Sequence, residues 1–204
     1  MTTVRPAGPH GLLVECADTA SATALFRHVQ RRRAVGDLDV RDVIPGAETV
    51  LLDGVADRDA VARLAYSWAP SPEEYPEDRE VTVEVRYDGP DLDQVAEELS
   101  MSVDALKALH MSSTFTAAFS GFMPGFAYME GFPRPVRRHS EARTEVPAGA
   151  VGLAADYCGI YPRSTPGGWK LIATMVDPER LWDERHEPAA LIYPGTRVRF
   201  EEVQ

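Results

Sequence analysis

Three stretches in the second half of the chain concentrate side chains that can recognise a small molecule. "GFMPGFAYMEGFP", Gly121 to Pro133, carries the rings of Phe122, Phe126, Tyr128 and Phe132 on a backbone punctuated by Gly121, Gly125 and Gly131 and stiffened by Pro124 and Pro133. Glycine admits positive φ and close approach of another segment, and proline fixes φ, so this is a shaped turn rather than a flexible connector. Its rings either anchor in the core or line a concave site. "CGIYPRSTPGGWKL", Cys158 to Leu171, repeats the device with Tyr161 and Trp169 and adds Arg163 and Lys170. A forked guanidinium and an ammonium point charge suit a carboxylate or a phosphate, and a hairpin with solvated cations is the plain alternative. "RPVRRHSEAR" then gathers Arg134, Arg137, Arg138, His139 and Arg143, a local reversal of sign in an acidic chain that points to an anionic ligand.

His110 precedes Ser112 and Ser113 in "LHMSSTF", a nucleophile-and-base pairing by composition. No G-x-S-x-G elbow accompanies it, and a histidine ending an amphipathic helix can equally cap that helix or fill a core. The segment "LDQVAEELSMSVDALKALH" has the layout of a helix-turn-helix, but its second helix offers only Lys107 and His110 as basic groups. Docking on phosphates takes several cations, so DNA reading is not expected. Neither GxxxxGK[ST] nor GxGxxG occurs, and no spacing of Cys16 and Cys158 suggests a metal site or a disulfide framework.

A formal net charge of −11 over 204 residues would repel nucleic acid and anionic membrane faces. Hydrophobic residues at 44% and charged residues at 26% describe an ordinary folded chain, long enough for one large or two small domains. The one basic run in the first half, Arg31-Arg32-Arg33, ends a predicted helix, where cations complement the helix dipole. No window approaches the roughly 18 apolar residues of a membrane span, so a soluble, cytoplasmic protein is expected.

The elements that must position these stretches follow from periodicity. "GLLVEC" reads as a strand, and "DTASATALFRHVQRRR" as a helix capped at Asp18, Thr19 or Ser21. "LDVRDVIPG" and "ETVLLDG" read as two strands, and "DRDAVARLAYSWA" as a helix from about Asp57, giving β-α-β-β-α. "APSPEEYPED", Ala69 to Asp78, is proline-rich and acidic, a solvated linker that divides residues 1–78 from 79–204. "EVTVEVRYDG" alternates as a half-buried strand, able either to complete the first domain or to open the second. Two short helices follow, the first with Asp91 and Gln94 in a capping box and the second capped by Ser102 with Val103, Leu106 and Leu109 as its stripe. Beyond Ser113, short runs such as "FTAAFSGF", "VPAGAVGLA", "GWKLIATMV", "ALIYPG" and "RVRF" predict a barrel or sandwich.

Together "LHMSSTFTAAFSGFMPGFAYMEGFP", "VPAGAVGLA", "GIYPRSTPGGWKLI" and "YPGTRVRF" resemble the allophanate hydrolase subunit 1 or KipI-like family. That family includes the B-subunit of the ATP-dependent 5-oxoprolinase and the matching part of urea amidolyase-type carboxyltransferase domains. The resemblance implies an α+β chain, with a small N-terminal α/β domain followed by a cyclophilin-like β-barrel. It implies a KipA-like (allophanate hydrolase subunit 2-like) partner, a LamB-like third subunit in the oxoprolinase, and ATP used by the complex to open 5-oxoproline to glutamate. KipI-named members instead inhibit a sensor histidine kinase. The resemblance places catalytic roles on His110 and Arg163, and substrate contacts on Phe122, Phe126, Tyr128, Arg138, Tyr161 and Lys170, with no metal. The chain departs from the family pattern at Met111, His139, Tyr157, Cys158 and Thr174, so that several polar positions of the family are altered.

Overall fold

Apolar periodicity drives two separate cores, and the computed structural model, which describes residues 3–69 and 79–203, divides into Met1–Glu77 and Asp78–Gln204. The linker read at Ala69 to Asp78 lies, beyond Ala69, outside the described residues.

The first unit runs β1 (Thr3–Ala7), β2 (Gly11–Glu15), α1 (Thr19–Ala34), β3 (Asp42–Pro45), β4 (Thr49–Asp53) and α2 (Arg58–Ser67). Its antiparallel sheet has the order β1-β2-β4-β3. Leu12, Val14, Val50 and Leu52 share a core with Leu25 and Val29 of α1 and Val61 and Ala65 of α2. Asp18 caps α1 by accepting from Ser21 N at 2.7 Å, and Asp57 caps α2 from Ala60 N at 2.9 Å. Strand β1 is an addition to the order read from sequence. It pairs with β2 alone, buries neither face and contains Pro6, so it carries no alternation and tolerates a missing N–H as only an edge strand can.

The second unit opens with β5 (Glu80–Arg86), α3 (Leu92–Glu98) and α4 (Val103–Ser112), then β6 (Phe115–Ser120), β7 (Ala127–Glu130), β8 (Arg143–Val146), β9 (Ala150–Ala154), β10 (Tyr157–Ile160), β11 (Thr165–Gly167), β12 (Lys170–Met175) and β13 (Arg197–Glu202). Seven strands close a barrel in the order β10-β7-β6-β13-β5-β12-β9, and β11 and β8 form a separate ribbon. Strand β5 therefore belongs to the barrel, parallel to β13. Its Val81, Val83 and Val85 point into a core with Phe115, Met129, Leu153, Ile172 and Phe200. "ALIYPG" forms no strand: Ile192 is buried, but Gly195 N bonds Ala117 O and Thr196 N bonds Tyr193 O, which makes it a turn laid against β6.

Candidate functional site

The aromatic turn between β6 and β7 is held by its own backbone. Met123 N donates to Gly121 O at 2.7 Å, Phe126 N to Met123 O at 3.0 Å, and Gly121 N to Phe126 O at 3.3 Å. Gly125 takes φ +83°, and a Cβ there would sit 2.9 Å from Leu181 O, so glycine is required both by conformation and by space. Phe122 holds φ +65° without being glycine, a strained conformation of the kind that collects at functional sites. This tight turn drives Phe126 inward, to 2% exposure, and leaves Phe122 56% exposed. On β10, a Cβ at Gly159 would lie 2.7 Å from Phe126 Cζ, so the glycine is what lets that ring lie flat on the strand.

Around Phe126 the rings of Phe122, Tyr128, Tyr161 and Trp169 meet it edge-on, with centroids 5.1 to 5.6 Å away. They enclose a cavity of about 120 Å³ lined by Phe122, Phe126, Tyr128, Tyr161, Trp169 and Arg138, with Pro166, Gly167 and Gly168. Burial, with Tyr128 nearby, pushes the Tyr161 phenol up to about 12, so it is neutral at neutral pH and available as a donor.

Arg138 reaches this cavity because its segment is pinned on both sides. Val136 and Ala155 exchange N–H···O bonds of 3.0 and 2.7 Å, and His139 N donates to Gly168 O at 2.8 Å. The Arg138 guanidinium lies over Gly168, whose absent Cβ would be 3.7 Å from Nη2. On its other side Arg138 faces a second, larger cleft of about 890 Å³. Arg138 and Trp169 line both spaces.

The segment 134–143 forms an arm that also engages Asp91, which is 3% exposed and accepts Leu171 N at 2.7 Å, Arg143 Nη2 at 2.7 Å and His139 Nε2 at 3.1 Å. Burial pushes its carboxyl up, but the bonds from Arg143, Leu171 N and His139 outweigh that and hold it below the usual carboxylate range. The capping box read at Asp91 and Gln94 does not form: Asp91 stands at the N-cap of α3, but its side chain makes no bond to the helix. A carboxylate gains more from a guanidinium than from a neutral amide, and Arg143 at the start of β8 brings it one.

Of the residues read from sequence, Phe122, Phe126, Tyr128, Arg138 and Tyr161 come together at one cavity. Lys170 does not join them. It is 4% exposed, and its Nζ lies 2.6 Å from Gln94 Oε1 and 3.3 Å from His139 Nδ1. With Lys170 donating to Nδ1, His139 carries its proton on Nε2 and donates to Asp91. Arg163 is exposed on the turn before β11 and lines neither space.

His110 is elsewhere again, fully buried in the barrel core against Phe115 and Phe200, at centroid distances of 5.0 and 4.4 Å. Tyr87 Oη and Nδ1 share a hydrogen bond of 2.8 Å, and Cys158 Sγ is 3.8 Å from Nε2. A cysteine beside a histidine has the composition of a nucleophile and its base, but burial lowers His110 to about 3 and raises Cys158. Both are neutral, and neither meets solvent, so in this structure the pair is core packing. Sequence reading missed Asp91 as the organiser of the arm, since its only local signal was the cap motif it abandons.

Among the described residues no helix is long and apolar enough to cross a membrane. The sequence profile of the carboxyltransferase domain, subdomain C and D, matches residues 2–192. The chain is 37% identical over 191 residues to a protein of Escherichia coli O157:H7 named as the B-subunit of 5-oxoprolinase, covering 89% of this chain and 85% of that one. It is 36% identical over 114 residues to the protein of the same name from Bacillus subtilis (strain 168), covering 55% of this chain and 47% of that one. The crystal structure of TTHA0988 superposes with a TM-score of 0.79 at 30% identity over 99% of this chain, which spans 40% of that longer chain.

Proposed function

The chain belongs to the family of the carboxyltransferase domain, subdomain C and D, in the branch that holds the 5-oxoprolinase B-subunit and KipI-like proteins, and from that premise we propose that it is one subunit of an ATP-dependent amide-cleaving complex acting on 5-oxoproline or a closely related small lactam acid. The observation that carries the reading is the aromatic cavity with a single guanidinium at its edge. The Arg138 side chain is exposed at the cavity edge, with no side-chain hydrogen bond or ion pair among the described residues, so its fork is available to a carboxylate. The surrounding rings match the apolar faces of a small saturated ring and exclude water from it. Tyr161 supplies a neutral hydroxyl beside them.

Opening the lactam adds water across the C–N bond, giving a carboxylate and an amine, and hydrolysis of ATP in the complex drives it. The described residues lining the cavity include phenols and one cation, but no carboxylate or imidazole to accept a proton. The proton acceptor is therefore assigned to a KipA-like partner, with a LamB-like third subunit completing the assembly. The polar positions changed at Tyr157, Cys158 and Thr174 fall outside the aromatic wall, so the wall is retained while its surroundings differ.

The test is turnover of 5-oxoproline with ATP by the copurified complex. Arg138→Ala should lower kcat/KM by about 10- to 100-fold, as loss of a charge-assisted bond does. An intact complex that does not consume 5-oxoproline would remove the reading. A second reading, a KipI-type inhibitor gripping a histidine kinase, draws support from Phe122, a strained and exposed ring of the kind protein partners bury. Copurification with a kinase, without ATP-dependent turnover, would favour it.

A further inference from the structure

Two pairs of sequence neighbours stand back to back at the aromatic cavity. Arg138 and Trp169 line it, while the residues that follow them, His139 and Lys170, stay out of its lining and meet each other, with Lys170 Nζ 3.3 Å from His139 Nδ1. Lys170 opens β12 directly after Trp169, and successive side chains of a strand take opposite faces, so a bond made by one fixes the place of the other. His139 is tied at three atoms to three different segments: N to Gly168 O at 2.8 Å, Nε2 to Asp91 Oδ1 at 3.1 Å, and Nδ1 to Lys170. The Arg138 side chain has no such anchor among the described residues. It lies over Gly168, the residue that holds its neighbour's amide. The backbone fixed through His139 is therefore what places the guanidinium.

The tie suits an imidazole. Lys170 is 4% exposed and touches no carboxylate among the described residues: its ammonium meets Gln94 Oε1 at 2.6 Å and the His139 ring. A buried ammonium without a counter-charge is costly. The ring answers that cost by standing between opposite charges, accepting from Lys170 at Nδ1 and donating at Nε2 to Asp91, whose Oδ1 also takes Arg143 Nη2 at 2.7 Å. Asp91 Oδ2 in turn accepts Leu171 N at 2.7 Å, one residue beyond Lys170, so the circuit of bonds closes on β12. We propose that His139 and Lys170 are positioning residues, whose bond sets the span between the Arg138 guanidinium and the Trp169 wall and so gauges which small ring acid the cavity accepts. A cavity of about 120 Å³ leaves little slack, so widening that span would admit a ring larger by one methylene. His139 is also one of the positions at which the chain departs from the family pattern, which makes this gauge a feature of this chain.

The proposal rests on the small lactam acid reading, and a measurement without substrate keeps the two apart. Hydrogen–deuterium exchange of the full chain should show protection of the His139 amide falling by about tenfold in His139→Leu and in Lys170→Met. It should persist in His139→Gln, whose amide offers an acceptor to Lys170 and a donor to Asp91. In the copurified complex, His139→Leu and Lys170→Met should raise KM for 5-oxoproline by about tenfold with kcat within about twofold, as displacement of a binding group does, and His139→Gln should recover most of that loss. The preference for 5-oxoproline over its six-membered homologue, 6-oxopiperidine-2-carboxylate, should narrow in the same two variants. Unchanged exchange at His139 in both variants would overturn the tie. Lost protection with unchanged KM, a loss confined to kcat, or His139→Gln behaving as His139→Leu would overturn the positioning role. An unaltered complex that leaves 5-oxoproline intact would remove the lactam reading instead, and the exchange result would still uphold or overturn the tie.

Discussion

His110 and Arg138 make an instructive pair. Around His110 the structure assembles a cysteine, a tyrosine and phenylalanines, the ingredients of a catalytic centre, and seals them in the barrel. Around Arg138 it assembles five rings and little else, and among the described residues leaves the guanidinium without a hydrogen-bond partner at the edge of two open spaces. Residue type favours the first as a reactive site, whereas unspent hydrogen-bonding capacity and access favour the second. A group whose polar atoms are already matched inside a core has nothing left to offer a ligand.

The contrast breaks most visibly in stability. His110→Ala should cost about 3 to 5 kcal/mol in urea unfolding, since it opens a cavity beside Phe115 and Phe200 and strands Tyr87 Oη. Arg138→Ala should stay within about 0.5 kcal/mol, because an exposed side chain without partners stabilises nothing. Comparable losses would erase the distinction.

Acid titration sharpens it. The folded His110 titrates at about 3, below its unfolded value near 6.5, so its contribution is complete above about 6.5 and is lost as pH falls toward 3. Over that window the unfolded chain binds the extra proton, and stability should fall by about 1.4 kcal/mol per pH unit from this group. In His110→Leu that slope should flatten by one proton, as read from denaturant midpoints at a series of pH values.

Asp91 should give a smaller effect in a narrower range. Its folded carboxyl sits below the usual value of about 3.9, so its stabilisation is present above about pH 4 and is lost as pH falls further. Asp91→Asn should cost about 1 to 3 kcal/mol at pH 7, discounted for the partial exposure of Arg143, and the gap to the unaltered chain should narrow as pH falls below about 4. Phe122→Gly should also change stability little. Relief of a left-handed non-glycine residue, about 1 to 2 kcal/mol, offsets the lost edge contacts with Phe126 and Tyr161, leaving a net shift within about 1 kcal/mol. Binding of the small acid should weaken even so.

How far the sequence carries this picture depends on how local each signal is. The alternation of Val81, Val83 and Val85 and the caps at Asp18, Asp57 and Ser102 are local, and the structure repeats them. Strand β1 has no buried face, so no pattern announces it. Asp91 satisfies a short-range motif that loses to partners about 50 and 80 residues away. Lys170 follows Trp169 at the start of a strand, where neighbours point to opposite faces; with the indole at the cavity, the ammonium must go behind it. His110 was legible in principle, since it lies four residues after Leu106 and so on the same helix face, and both are fully buried. The convergence of the Gly121–Tyr128 turn, the arm at Arg138 and the Tyr161–Trp169 loop is long-range, and the barrel alone brings it about.

The central claim is that the ligand-facing chemistry of this chain sits at Arg138 and not at the loop cation Arg163. Turnover of 5-oxoproline by the ATP-supplied complex, measured side by side for Arg138→Ala and Arg163→Ala, tests it most directly. The account predicts a loss of about 10- to 100-fold in kcat/KM for the first and less than about twofold for the second. Full activity in Arg138→Ala, with the loss appearing in Arg163→Ala instead, would contradict it.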